Sequence, residues 1–296
     1  MMPSRTVLSP ALRAVTVRRR GEHQVEDLVV VEEPLEIRLD GKPLVVTMRT
    51  PGDDEELAAG FLHAEGLIAD AAGIASLRAV AGDGSSGLGG QAHIRVTRFA
   101  GDRVEIVRAE SRVEPALTAM DREREFRATA ACGVCGKSSI DELNQEVARV
   151  KPVEAMPALI DRLEALPSRL RAAQSLFDAT GGIHAAGIFS MDGELSCVRE
   201  DIGRHNAVDK VIGHYVLRNE MPLDDRILVV SGRAGFELVQ KALAARIPLM
   251  VAVGAASSVA VDMASAAGMT LYSFAGRGRG NLHLPPEDQD RQEPTP

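Results

Sequence analysis

The spacing of apolar residues divides the chain into two halves with different predicted structure. In the first half, short β-branched and apolar runs alternate with turn residues, which is typical of sheet. An acidic start and apolar residues at helical spacing predict a helix at 55–66. The strands predicted in this half lie at 27–31, 35–39, 43–48, 92–99 and 103–107.

In the second half, strands and helices alternate. Such a βαβαβ series is typical of an α/β fold with a mostly parallel sheet. A helix predicted at 157–177 precedes the series and is expected to break at Pro167. The strands are predicted at 183–190, 195–199, 226–231, 248–253 and 269–274, and the helices at 204–217, 236–245 and 257–266.

With 296 residues, the chain exceeds one typical domain. The ends are polar, rich in Pro and charged residues, and lack apolar periodicity. We therefore expect disordered ends at 1–20 and 284–296, a β-rich N-terminal domain at 21–130, and an α/β domain at 131–283 that begins with a cysteine-containing loop.

The composition excludes several classes of partner. The net charge is −8, so no general positive field attracts nucleic acid or an anionic membrane. The chain has two Tyr, seven Phe and no Trp, which disfavours stacking surfaces for single-stranded nucleic acid. No apolar run is long enough to span a bilayer, and no secretion signal is recognised. We expect a cytoplasmic protein that binds neither nucleic acid nor membrane.

The predicted strand ends supply a candidate ligand site. In open α/β sheets, ligands bind beyond the carboxyl ends of the strands. Small residues, hydroxyls and arginines there suit a large anionic ligand, although Ser and Gly are also ordinary helix-capping and turn residues. No Walker A or dinucleotide-binding fingerprint is present. The candidate residues in these loops are Arg204, His205, Ser231, Arg233, Ser257, Ser258, Arg277 and Arg279.

A Cys-x-x-Cys pair is the clearest chemical motif. Cys132 and Cys135 lie in a glycine-rich stretch before a predicted helix, with Lys137 beside them. Helix amides and a lysine both favour the thiolate, which is the reactive form in sulfur transfer, disulfide exchange and metal binding. The third cysteine, Cys197, lies in a predicted strand and is interpreted as a small core residue.

Several kinds of chemistry remain open for this pair. A structural zinc site would need four ligands, and no second pair lies at suitable spacing. A thioredoxin-like pair would follow a strand directly, which this one does not. A zinc deaminase would combine it with His63 and Glu65, but Ala131 replaces the expected proline. No metal site is predicted.

The chain resembles the formate dehydrogenase accessory sulfurtransferase (FdhD) family from about residue 25 to 283. The resemblance consists of several blocks in order, so it does not depend on the cysteine pair alone. The blocks are EPLEI at 33–37, MRTPG at 48–52, CGVCGK at 132–137, TGGIHAA at 180–186, EDIGRHNAVDK at 200–210 and FELVQKA at 236–242.

The resemblance implies a function and a fold. It implies a sulfur carrier that takes sulfur from a cysteine desulfurase and passes it to Mo-bis(molybdopterin guanine dinucleotide), the cofactor of formate dehydrogenase. Cys132 would carry the persulfide and Cys135 would assist. The implied fold is a cytidine-deaminase-like α/β core without the deaminase zinc, usually as a homodimer.

The resemblance also implies a cofactor-binding segment at 274–279, with GDP as a partial mimic of the cofactor. Its residues are Phe274, Ala275, Gly276, Arg277, Gly278 and Arg279. Gly235 stands where the family pattern suggests serine, and His283 where it suggests tyrosine. His205 is favoured over His184 as a ligand contact, because His184 falls in a predicted strand.

Two alternative functions remain open. One is a cofactor-binding chaperone in which the cysteines are regulatory. The other is a thiol-disulfide oxidoreductase that uses both cysteines.

Overall fold

The computed structural model describes residues 9–21, 23–39, 42–74, 78–80, 92–99, 103–105, 148–153 and 157–285. The cysteine pair lies outside them. The strands are β1 Leu12–Arg18, β2 Gln24–Val30, β3 Glu33–Leu39, β4 Lys42–Arg49, β5 Arg78–Val80, β6 Ala92–Phe99, β7 Arg103–Glu105, β8 His184–Ser190, β9 Leu195–Asp201, β10 Arg226–Val230, β11 Leu249–Ala252, β12 Thr270–Ser273 and β13 Asn281–His283. The α-helices are α1 Asp54–Ala64, α2 Pro157–Ala172, α3 Ser175–Thr180, α4 Arg204–Val216, α5 Phe236–Ala244 and α6 Ser258–Ala267, and a 3-10 turn spans Ala71–Gly73.

The second half forms a six-stranded sheet of order β13-β12-β11-β10-β8-β9. The predicted α/β class is confirmed, but the predicted mostly parallel sheet is wrong. Only β10 with β11 and β11 with β12 are parallel, whereas β8 pairs antiparallel with both β9 and β10, and β13 pairs antiparallel with β12. The reason is connection length: β8 and β9 are joined by a tight turn at Gly193 (φ 86°), and parallel neighbours would need a crossover of a dozen residues or more.

Helices cover both faces of this sheet. Successive strand residues point to opposite faces, so Ile227 and Val229 pack in one apolar cluster with α2. Leu228 and Val230 pack in the other cluster, with α4, α5 and α6. The sheet is therefore buried on both sides, which matches its nearly continuous apolar strands.

Helix α2 continues through Pro167, so the predicted break there is wrong. A proline inside a helix costs about 3 kcal/mol. Here Leu163, Leu166 and Leu170 are buried on the face that packs on the sheet, and full burial of such side chains contributes about 1.5–3 kcal/mol each. This burial outweighs the cost. Gly181 ends α3 in the left-handed conformation (φ 68°).

The N-terminal half forms a second sheet of order β4-β3-β6-β5, with β7 beside β6, and a separate β1-β2 hairpin. Residues 12–18, expected to be disordered, form β1. They pair antiparallel with β2 across a turn at Gly21 (φ 83°), which supplies the backbone partners that a lone segment would lack. The predicted tail at 284–296 lies outside the described residues except for Leu284 and Pro285, which are buried.

Helices α1 and α4 join the N-terminal sheet to the rest of the molecule at very close range. A Cβ atom added at Gly60 would lie 1.9 Å from the Asp209 carbonyl oxygen. One added at Gly213 would lie 1.8 Å from the Glu56 carbonyl oxygen. No other residue type fits at these crossings without separating the helices. One continuous apolar cluster runs from β3 and β4 through α1 and α4 to the six-stranded sheet.

A buried polar cluster lies beside this crossing. The Asp201 carboxylate is fully buried and accepts hydrogen bonds from the backbone amides of Thr50 (3.0 Å) and Gly203 (2.8 Å) and from Asn206 Nδ2 (3.0 Å). Lys210 Nζ lies 2.8 Å from Asp201 and donates to the Thr50 carbonyl at 2.9 Å. The cluster therefore ties the end of β4 to the start of α4. Among the described helices, none is long and apolar enough to cross a membrane.

Gly60→Ala is expected to lower the free energy of unfolding by about 2 kcal/mol, because the added methyl group overpacks the crossing of α1 and α4. Urea denaturation measures the change. Gly73→Ala is the matched control, since nothing lies within 4 Å of its added Cβ. Equal stability of the two variants would contradict the close crossing.

Lys210→Met is expected to lower the free energy of unfolding by about 3 kcal/mol or more, because it leaves the buried Asp201 carboxylate without its cation. The exposed Lys151 provides the control, and Lys151→Met should change stability by less than about 0.5 kcal/mol. Chemical denaturation of both variants at neutral pH tests the difference. A Lys210→Met protein as stable as the control would refute the role given to the pair.

Candidate functional site

A cavity of about 880 Å³ opens between α2, α3 and the ends of the central strands. Its size is within the range of small-molecule binding sites. Apolar side chains supply much of its wall, among them Leu170, Phe177, Ile183 and Val253. We call it the α2 cavity, because one face of that helix contributes Glu164, Pro167, Ser168 and Arg171.

Two arginines place positive charge at the α2 cavity, although Arg171 also pairs with Asp178, its Nη2 lying 2.6 Å from a carboxylate oxygen. Arg171 and Arg277 both line it. Guanidinium groups bind phosphate and carboxylate oxygens in bidentate fashion, so Arg277 suits a phosphorylated ligand. The opposing charge among the lining residues belongs to Glu164, whose carboxylate is already engaged by four donors.

Three of those donors belong to residues 274–280, which we call the glycine-arginine loop, and the fourth is Tyr272 in β12. Glu164 accepts hydrogen bonds from the Tyr272 hydroxyl at 2.6 Å and from the backbone amides of Gly276 (2.8 Å), Gly278 (3.1 Å) and Gly280 (2.9 Å). Burial disfavours the charged carboxylate, but these hydrogen bonds outweigh burial and lower the pKa of Glu164 below its ordinary value. Glu164 thus fixes the shape of the loop that carries Arg277.

The loop begins with a strained residue. Phe274 has φ 57°, a left-handed conformation that is uncommon for a bulky side chain. Its amide donates to the Gly254 carbonyl at 3.0 Å, and the Gly254 amide donates to the Gly232 carbonyl at 2.8 Å. These bonds join the ends of the three parallel strands, which are the positions predicted for ligand loops.

Four of the predicted ligand residues line the α2 cavity. They are Ser231, Ala275, Gly276 and Arg277. The Ser231 hydroxyl accepts a hydrogen bond from the Ala185 amide at 2.9 Å, so it also fixes the strand end.

The other predicted residues are not among those that line the cavity. Ser257 caps α6 by accepting from the Ala260 amide at 3.3 Å, which is the ordinary role of serine at a helix start. His205 Nε2 lies 2.6 Å from a Glu237 carboxylate oxygen. The remaining residues are Arg204, Arg233, Ser258, Phe274, Gly278 and Arg279, of which Arg233, Ser258, Gly278 and Arg279 are exposed.

The two candidate histidines differ in their relation to the cavity. His184, expected to be the lesser candidate, lines the cavity, whereas His205 is paired with Glu237. His184 Nδ1 lies 3.3 Å from the Ser231 hydroxyl. Burial and the nearby charges of Arg204 and His205 lower the pKa of His184, so its ring is neutral at pH 7.

The contribution of α2 to the cavity was not predicted from the sequence. Glu164, Pro167, Ser168 and Arg171 follow the spacing i, i+3, i+4 and i+7, which places them on one face of a helix. That spacing was the available signal. Gln174, between α2 and α3, was missed as well, and no local pattern indicated it.

Gly235 and His283, the two residues that depart from the family pattern, lie at a helix start and in an edge strand. Gly235 is the residue before α5 and makes no side-chain cap. His283 Nε2 lies 3.0 Å from the Ser273 hydroxyl, and burial lowers the pKa of this histidine.

Of the three cysteines, the structure describes Cys197. Cys132 and Cys135 lie outside the described residues. Cys197 is buried in the core, as predicted, and burial raises the pKa of its thiol to about 11, so it is protonated at neutral pH. Within the described ranges, no group of His, Cys, Asp and Glu could hold a metal ion.

Comparison with known proteins decides the family. The sequence model described as the FdhD/NarQ family matches residues 30–288. This chain belongs to the FdhD/NarQ family. The resemblance seen in the sequence blocks is therefore confirmed.

Close relatives carry one name. The chain is 47% identical over 275 residues to the sulfur carrier protein FdhD of Streptomyces coelicolor, covering 92% of each chain. It is 48% identical over 256 residues to the protein of that name from Corynebacterium efficiens, covering 86% of this chain and 87% of the other. For Mycobacterium tuberculosis, the identity is 46% over 268 residues, covering 88% and 93%.

A solved structure has a similar fold. It is a crystal structure of a protein from Desulfotalea psychrophila described as a formate dehydrogenase accessory protein, with a TM-score of 0.64 and 22% identity. The match covers 94% of this chain and 97% of the other. At this identity the likeness bears on the fold alone, and it does not test the predicted likeness to cytidine deaminases.

Glu164→Gln is expected to increase amide exchange in the glycine-arginine loop by about tenfold, because the charged acceptor of three loop amides is lost. The lowered pKa means that the carboxylate stabilises the loop fully above its ordinary pKa, and that this effect is lost as pH falls through the lowered value. Hydrogen exchange with mass spectrometry at neutral pH measures the change. Glu194→Gln, at an exposed carboxylate, should leave exchange in the loop unchanged.

Proposed function

We propose that this FdhD/NarQ protein is a sulfur carrier for formate dehydrogenase. It would accept a persulfide sulfur from a cysteine desulfurase and pass it to Mo-bis(molybdopterin guanine dinucleotide). The observation that carries the proposal is 47% identity, over 92% of the chain, to a protein named as a sulfur carrier. The Cys-x-x-Cys pair supplies suitable chemistry.

In the first step, the Cys132 thiolate attacks the outer sulfur of the desulfurase persulfide. A new S–S bond forms on Cys132, and the S–S bond of the donor breaks. The desulfurase cysteine leaves as a thiolate. One sulfur atom moves and no external oxidant is needed.

In the second step, the Cys135 thiolate attacks the inner sulfur of the persulfide on Cys132. The persulfide bond breaks, the outer sulfur leaves as sulfide for the molybdenum of the bound cofactor, and a Cys132–Cys135 disulfide remains. A thiol reductant then restores both thiols. The cofactor is the substrate here, and the protein needs no metal of its own.

The α2 cavity is the proposed docking site for part of that cofactor. Its volume of about 880 Å³ suits a nucleotide moiety. Arg277 would bind the diphosphate, and Arg171, Phe177 and the apolar wall at Ile183 would contact the base. The homodimer and the cytoplasmic location implied by the resemblance stay predictions.

Incubation with an active cysteine desulfurase and L-cysteine is expected to add one sulfur atom to the protein, reversibly by a thiol reductant. Cys132→Ala should abolish the gain, since it removes the accepting thiolate. Intact-protein mass spectrometry measures it.

Cys197→Ala is the matched control and should still gain the sulfur, because the raised pKa of that buried thiol keeps it unreactive. Loading that persists in Cys132→Ala would disprove the assignment of Cys132. Absence of loading in the wild type would favour a cofactor-binding chaperone or a disulfide oxidoreductase.

A further inference from the structure

Gln174 is an anomaly in the wall of the α2 cavity. The residue is 3% exposed and lines the cavity. Its Nε2 atom has no hydrogen-bond partner among the residues that the structure describes. A buried amide without a partner is unfavourable, and most such groups are paired in native proteins. An acceptor on a bound ligand would satisfy this donor.

We propose that Gln174 determines base specificity by donating a hydrogen bond to the 6-oxo group of a guanine base in the α2 cavity. The proposal rests on the proposed function, which places a guanine dinucleotide there. It adds the side chain that recognises the base.

The position of Gln174 relative to the arginine loop fits an extended nucleotide. Glu164 holds the glycine-arginine loop. It lies eight residues before Ala172, the last residue of α2, which corresponds to about 12 Å of helix. Gln174 follows just beyond that end. The loop that carries Arg277 is therefore held at Glu164, near the middle of α2, whereas Gln174 lies just beyond the C-terminal end of that helix.

The surroundings of Gln174 suit a flat aromatic base. Phe177 lines the cavity, and the Arg171 guanidinium lies 4.2 Å from the centroid of its ring. Phenylalanine rings and guanidinium planes are the surfaces on which bases stack. Leu170 and Ile183 are buried apolar residues of the same cavity wall, and they favour a base over a hydrated phosphate.

The hydrogen-bonding pattern of the base makes the proposal specific. Guanine and hypoxanthine both present an acceptor at position 6, whereas adenine presents an amino group, which is a donor. An Nε2 donor facing adenine would leave two donors opposed and both unsatisfied. GDP and IDP should therefore depend on Gln174, and ADP should not.

The test compares dissociation constants of GDP, IDP and ADP, measured by isothermal titration calorimetry, in the wild type and in Gln174→Met. Methionine keeps the unbranched shape and removes the amide. We expect the constants for GDP and IDP to rise about tenfold, as for one lost hydrogen bond to a buried donor, and that for ADP to change less than about twofold. Gln240→Met, on α5 across the sheet, is the matched control and should change none of them.

Thermal unfolding without nucleotide separates recognition from a structural role. If the amide serves a ligand, Gln174→Met removes an unpaired buried donor and leaves the melting temperature unchanged or higher. A melting temperature lowered in Gln174→Met would overturn the proposal.

The remaining outcomes are also decisive. Equal weakening of GDP and ADP would mean that the amide contacts a shared part of the nucleotides, and unchanged binding of all three would mean that it contacts none. Either result overturns base recognition but leaves the proposed function intact. A wild type that binds no guanine nucleotide would overturn the docking of the cofactor in this cavity and the inference with it.

Discussion

The buried carboxylate of Asp201 is the interaction on which the arrangement of the two halves depends. A charged group without water is costly unless every oxygen has donors and a counter-charge is close. Lys210 supplies the counter-charge for Asp201, and the backbone amides of Thr50 and Gly203 supply hydrogen bonds. The second half supplies Lys210, Gly203 and Asn206, and the N-terminal half adds the Thr50 amide, so full hydrogen bonding of this carboxylate needs both halves. Asp201 ends β9, and the next residue, Ile202, lines the α2 cavity and donates its amide hydrogen to the Thr50 hydroxyl at 3.1 Å.

Much of the secondary structure could be predicted from the sequence, because period-2 and helical spacing are local properties. The order of strands in the sheet could not be predicted. Alternation of apolar and polar residues shows that a strand has two faces, but it does not show which strand lies beside it. Pro167 shows a further limit: its local effect favours a break, and the distant contacts of Leu163 and Leu166 with the sheet outweigh it.

The candidate site was predicted in part for the same reason. Ser231 and Arg277 follow strands, and the rule that ligands bind at strand ends identified them. Glu164 was missed because its partners lie more than a hundred residues away in the chain. Its role changes the interpretation of the glycine-arginine loop. The amides of Gly276, Gly278 and Gly280 are already used by the protein's own carboxylate, so the arginine side chains are left to meet an anionic ligand.

Helix α2 has one set of residues that packs on the sheet and another that lines the cavity. Leu163 and Leu166 hold the helix on the sheet, while Glu164, Pro167, Ser168 and Arg171 line the cavity, and Leu170 does both. Because helical geometry separates most of the two sets, single substitutions can alter the cavity while the core stays packed. The shape and charge of the cavity can therefore change by single substitutions while the fold is kept.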